Sequence, residues 1–139
     1  MNYYKNNIMN VKGDTHSHPI FVTGLGQDLE GVFFTCRENL NDDGEVLFQK
    51  SLNDGITYMK YEPETDTRIY VVRIAPSDTE ELQAGTYFYD EKVLVNGDVF
   101  TIMRGKFVVK QAATREGTTP YDPEQYIKDY LDEINGEVI

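Results

Sequence analysis

The stretch "GDTHSHPI" carries both histidines of the chain, His16 and His18. Spaced by two on a strand, their imidazoles would share one face and could share a metal ion. A stable site wants three or four ligands, and Cys36 is committed elsewhere. The spacing is therefore read as no metal site, with two exposed or half-buried rings beside Pro19, a residue suited to an edge strand. Asp42, Asp43 and Glu45 offer oxygens to calcium, but their spacing is not that of an EF-hand, and Asn-Asp-Asp-Gly is ordinary turn chemistry. In "TGLGQDLEG" the glycines fall at 24, 26 and 31. The last is two positions late for a dinucleotide loop, and no helical pattern follows. There is no P-loop and no G-x-S-x-G elbow. Among 24 acidic residues, a pair of carboxylates identifies nothing. The sequence thus names no catalytic residue, no cofactor and no metal ligand, and points away from an enzyme.

Cys36 is the only cysteine, so no intrachain disulfide can form. In "GVFFTCRE" it stands among large apolar residues and reads as a small buried hydrophobe rather than a reactive thiol. A reducing compartment fits this usage. "MNYYKNNIMN" lacks the continuous apolar core of a signal peptide, and no stretch approaches a membrane span. The net charge of -11 argues against nucleic acid and anionic membranes as partners, since no basic patch is visible.

The elements that would position side chains are short. Turn signals recur at Lys12-Gly13-Asp14, Gly24-Leu25-Gly26, Asn41-Asp42-Asp43-Gly44, Asn53-Asp54-Gly55, Pro63-Glu64-Thr65-Asp66, Gly85 and Asn96-Gly97. Between them lie runs rich in β-branched and aromatic residues, such as "GVFFTCRE", "TRIYVVRIA" and "GTYFYDEKVLV". With ten Tyr and seven Phe in 139 residues, this spacing predicts an all-β sandwich or barrel. Val32, Phe34 and Cys36 are expected on one core face, and Tyr70, Val72 and Ile74 on another.

"VLVNGDVFTI" raises a choice between an acid-amide site and a corner. Asn-Gly between strand-like runs is the signature of a type I′ hairpin. Asn96 and Gly97 are therefore structural, with Val95 opposite Asp98, Leu94 opposite Val99 and Val93 opposite Phe100. That register sets Glu91 opposite Ile102, on the apolar face with Val93, Phe100 and Ile102. Glu91 is expected at the sheet margin, meeting Arg104 diagonally. "APSDTEELQAGTYFYD" reads as the crossover between two sheets: Pro76 opens it, Asp78 or Ser77 caps it, Leu82 plugs inward and Gly85 restarts a strand. It resembles the corner of an immunoglobulin-like sandwich, where a Tyr bonds back to the corner backbone, and Tyr87 is the candidate.

The domain organisation expected is a sandwich over 1–110, a linker over 111–121 and an amphipathic helix over 122–136. Asp122 would be the N-cap, Pro123 the first helical residue and Gln125 the partner in a capping box. Tyr126, Ile127, Tyr130, Leu131 and Ile134 recur at three and four, giving one apolar stripe. That stripe either folds back on its own domain or docks on another subunit or partner.

Four stretches together, "VKGDT", "VFFTCRENLNDDGEVLFQKSLNDGI", "RIAPSDTEELQAGTYFYD" and "VNGDVFTIMRGKFVV", resemble small structural proteins of phages and prophages of Gram-positive bacteria. They are similar to the N-terminal domain of phage baseplate upper proteins, over roughly residues 8 to 110. The resemblance implies an immunoglobulin-like antiparallel β-sandwich of about seven to nine strands. It implies a virion component made in the host cytoplasm, with phage structural proteins, or itself through the C-terminal helix, as partners. It carries no catalytic or cofactor residues. It would put apolar residues at positions 16, 18 and 91. A second class, a carbohydrate- or ligand-binding sandwich, would use exposed aromatics such as Tyr58 and Tyr61.

Overall fold

The computed structural model describes residues 4–39 and 44–113. Within them the chain forms β1 (Tyr4–Lys5), β2 (Ile8–Val11), β3 (His16–Thr23), β4 (Gly31–Arg37) and β5 (Val46–Leu52). It continues through β6 (Gly55–Glu62), β7 (Thr67–Ile74), the one-turn helix α1 (Pro76–Thr79), β8 (Gly85–Val95) and β9 (Asp98–Lys110). The hydrogen-bonded path runs β1-β9-β8-β4-β5-β6-β7-β3, with β2 also on β9. Its middle link is thin, because β5 and β6 share only Ser51↔Gly55 and Leu52↔Ile56, on either side of a tight turn. Past that corner the path folds into two layers. His18 of β3 reaches Glu91 of β8, although the two strands are not paired.

One layer is β3-β7-β6 and the other β5-β4-β8-β9. In chain order these are the B-E-D and C′-C-F-G strands of an immunoglobulin-like sandwich. The first strands lie parallel beside β9 rather than beside β3. Sequence reasoning missed β1 and β2: "KNNIMN" is polar, and pairing with β9 is a contact across the whole domain.

The core follows the expected alternation. Val32, Phe34 and Cys36 are fully buried, as are Tyr70, Val72 and Ile74 to within 2%. Phe34 stacks on Phe48, which meets Phe107 edge-on. The crossover also forms as expected. Asp78 Oδ2 accepts from the Ala75 amide at 2.7 Å and from Lys50 Nζ at 2.7 Å, and Leu82 packs against the core. Tyr87 Oη donates to the Gln83 carbonyl at 2.8 Å, closing the tyrosine corner.

The Asn96-Gly97 hairpin has the expected register as far as Lys92↔Thr101, with both turn residues at positive φ (52° and 79°). It then departs. A β-bulge between Glu91 and Lys92 pairs Glu91 with Met103, not Ile102. The extra residue moves the inward side of β9 from even to odd positions, which brings Phe107 and Val109 into the core. Farther along, a Cβ on Gly105 would lie 1.7 Å from the Asn6 carbonyl oxygen. Only glycine lets the first strands approach β9 so closely.

The sequence-expected linker is described only at 111–113, and the helix 122–136 lies outside the described residues.

Candidate functional site

Strand register builds a lattice of side chains on the outer face of β5-β4-β8-β9. One row across it is Lys106–Phe88–Arg37, the next Arg104–Asp90–Thr35–Gln49, the next Thr101–Lys92–Phe33. All of these except Lys106 line an open groove of about 700 Å³. Its apolar content is the half-buried rings of Phe33, Phe88 and Phe100 with the exposed side chain of Val99. Gln49 Nε2 donates to Thr35 Oγ1 at 2.9 Å, and Arg37 Nη1 donates to the Gly44 carbonyl at 2.9 Å, so this part of the floor is ordered by its own contacts.

Asp90 is the electrostatic centre of the groove. Burial raises its pKa above the usual carboxylate value, while Lys92, Arg37 and Arg104 pull the other way. A carboxylate held half-buried at a cost, in a concave site, marks a functional candidate. A nucleophile-base pair is not gathered here, and among the described residues no group of three His, Cys, Asp or Glu could hold a metal.

A second cluster lies between the layers. His18 Nε2 and Glu91 Oε1 are 2.7 Å apart, with the residues 7% and 1% exposed. The His18 ring lies edge-on to Tyr89 and tilted to Phe34, while Phe34 and Tyr89 stack at 5.1 Å. Two expectations are corrected here. Glu91 is not at the sheet margin with Arg104, and His18 is not exposed or half-buried. Both point inward on strands of opposite layers, and each satisfies the other's polar group. His16 is half-buried with its ring centroid 6.4 Å from that of His18, and burial followed by His18 lowers its pKa. Burial, then Glu91, pushes the Tyr89 hydroxyl up. Tyr89 is two residues past Tyr87, where antibody domains carry the second half-cystine of their inter-sheet disulfide. Here aromatic rings and an ionisable pair fill that place.

Cys36 sits in the same core, fully buried, its thiol pushed up to about 12 by burial and then Asp78. Tyr58 and Tyr61 are 44% and 41% exposed, but neither ring is idle. Tyr58 lies edge-on to Tyr70, and Tyr61 donates to Asp66 Oδ1 at 3.0 Å beneath Arg68. A bulge between Tyr58 and Lys60 separates them along β6. Asp42 and Asp43 lie outside the described residues, as do Tyr126, Ile127, Tyr130, Leu131 and Ile134.

The groove residues were not singled out from the sequence. The available signal was the even positions of "GTYFYDEKVLV": Phe88, Asp90 and Lys92 lie on the face opposite Tyr89, Glu91 and Val93.

Fold and groove together define an immunoglobulin-like sandwich with an open, charged strand face. No protein-family model and no curated protein sequence matches the chain. Among solved structures it is similar to one of voltage-gated sodium channel β subunits, from a photo-crosslinking analysis of their multimeric cell-adhesive interactions. Identity is 13% and the TM-score 0.36, over 79% of this chain and 93% of that one. It is also similar to the extracellular domain of the β4 subunit, solved as parallel homodimers, at 14% identity and a TM-score of 0.37, over 81% and 96%. Likenesses this distant leave the fold resting on strand order and the tyrosine corner.

Proposed function

We propose that the chain is a non-catalytic protein-interaction module, a structural or accessory component of a phage or prophage virion. The observation that supports an interaction role is the groove on β5-β4-β8-β9. Rigid strands present Phe33 and Phe88 beside Arg37, Lys92 and the costly carboxylate of Asp90. Aromatic anchors among charges are the composition of a recognition surface. The virion assignment rests on the sequence resemblance. The partners are then phage structural proteins, with self-association through segment 122–136 as the second contact.

The test is incorporation into particles. Mass spectrometry of purified particles should find the wild-type chain, and should find a folded Phe88→Glu chain reduced about ten-fold, a loss typical of an interface anchor. Equal incorporation of both would move the contact off the groove. Absence of both would remove the virion reading. In parallel, Tyr130→Asp with Leu131→Asp should abolish any oligomer seen by light scattering while leaving the sandwich folded. An unchanged oligomer would rule out segment 122–136 as the self-contact.

A further inference from the structure

We infer that the groove on β5-β4-β8-β9 binds a neutral saccharide, held across Phe33, Asp90 and Phe88. This rests on reading the groove as a recognition surface and adds a ligand class to it, because a sugar and a virion protein would compete for the same rings.

Register sets the groups of the floor in facing pairs: Phe33 opposite Lys92, Thr35 opposite Asp90 and Arg37 opposite Phe88. Each ring therefore has a cation on the neighbouring strand. The two rings stand diagonally, one on β4 and one on β8. Their rows are four residues apart along β8, roughly 13 Å at about 3.3 Å per residue. Between them runs a polar row, Gln49–Thr35–Asp90. Thr35 is only 8% exposed, and its Oγ1 accepts from Gln49 Nε2 at 2.9 Å. The hydroxyl keeps its own proton to donate, and Gln49 keeps its amide oxygen to accept.

Electrostatics narrows the occupant. An anion would meet the Asp90 carboxylate at the centre, and a cation would meet Lys92 and Arg37 on either side. A wholly apolar molecule would strip water from these charges with nothing in exchange. A neutral ligand with donors and acceptors around an apolar body avoids all three costs. Its hydroxyls can donate to the Asp90 carboxylate, which only accepts, and can accept from Lys92 and Arg37, which only donate. Its C–H faces can lie on the half-buried rings of Phe33 and Phe88. A sugar ring has this make-up. The state of Asp90 agrees: burial disfavours its ion, and hydroxyl donors would restore the hydrogen bonds that water no longer supplies.

The sheet itself disfavours a peptide strand. The four strands pair with one another, and the far edge of β9 is taken by β1 and β2, so the floor offers side chains rather than main-chain groups. Strand addition needs a free edge of N–H and C=O groups. The volume of about 700 Å³ lies within the range of small-ligand sites, about 300–1,000 Å³.

The experiment is amide shift mapping by NMR on the 15N-labelled full chain. It is titrated separately with oligosaccharides of dextran, mannan and galactan, and with trilysine and triglutamate as charged controls. Saturable shifts from at least one saccharide are expected at 33–37 and 88–92, and none at Tyr58 or Tyr61. Asp90→Asn and Phe88→Ala should each weaken that binding about ten-fold with an unchanged circular dichroism spectrum, the loss of a charged hydrogen bond in one and of a ring contact in the other. No saturable shift from any saccharide would overturn the inference. So would shifts centred on Tyr58 and Tyr61, or a response to the charged peptides alone. Particle incorporation decides the proposed function separately. A chain that binds saccharide yet is absent from particles keeps the ligand and removes the virion reading; the reverse result does the opposite.

Discussion

The His18–Glu91 pair shows how one buried contact is set by position rather than by local sequence. Each residue stands out alone, as a polar side chain on an apolar strand face. Their union was not legible, because 73 residues and two unpaired strands separate them. A buried pair is weak evidence for stability, but removing one partner leaves the other without compensation, typically at about 3–5 kcal/mol. Glu91→Leu or His18→Leu alone should therefore lower the urea midpoint steeply. The double variant His18→Leu with Glu91→Leu should recover most of the loss, since apolar replacement of both partners is often neutral or stabilising. Single losses that simply add in the double variant would mean that the two groups do not act as a pair. His16 adds a pH dependence of known sign. Its pKa is lowered in the folded state, so the unfolded chain binds the proton more tightly. The corresponding stability is present above about pH 6.5, the ordinary imidazole value, and is lost as pH falls. His16→Phe should flatten that part of a melting-temperature profile.

At the scale of elements, β8 has one face in the core and one in the groove, and β9 is bent by a bulge to serve both. The hairpin turn and the tyrosine corner were legible because each is a local rule: Asn-Gly for positive φ, and a Tyr just after the crossover. The bulge was not, because it answers to the inward packing of Phe107 and Val109 at the far end of β9. The strands β1 and β2 were not legible either, and Gly105 is where their docking is decided. Gly105→Ala would drive a methyl group into the Asn6 backbone, where Tyr89 Oη also donates at 2.6 Å. Overpacking of this kind costs about 1–3 kcal/mol. Amide exchange should accelerate at residues 6–11, ahead of the rest of the sandwich; uniform acceleration would mean that β1 and β2 are not a separable element. Asp90 belongs to this scale too. Its pKa is raised by burial, so the folded chain favours the protonated acid and bears a cost once the carboxylate ionises. Asp90→Asn should raise the melting temperature at pH 7. The gain should shrink as pH falls through the carboxylate range near 4. A lower melting temperature for the variant at pH 7 would show that Lys92, Arg37 and Arg104 outweigh the burial.

At the scale of the whole molecule, the question is what holds two layers together with no disulfide available. They are joined by the narrow β5-β6 corner, the His18–Glu91 pair and a shared apolar core. A core that spans both layers leaves neither able to open without exposing it, so unfolding should be cooperative. Cys36 is the natural reporter, being fully buried with its thiol pushed up to about 12. A thiolate is needed for reaction, so both access and ionisation protect it. A thiol reagent such as a disulfide dye should label native protein slower than unfolded protein by roughly the unfolding equilibrium constant, of order 10³ or more for a domain of ordinary stability. Labelling should rise with urea along the same curve as the circular dichroism signal. A reducing agent should shift neither curve, since there is no intrachain bridge to break. If Cys36 were instead labelled at low urea, before the circular dichroism changes, the layers would be parting while their strands persist. The inter-layer contacts, and His18–Glu91 first among them, would then be the weak joint of the fold rather than its pin.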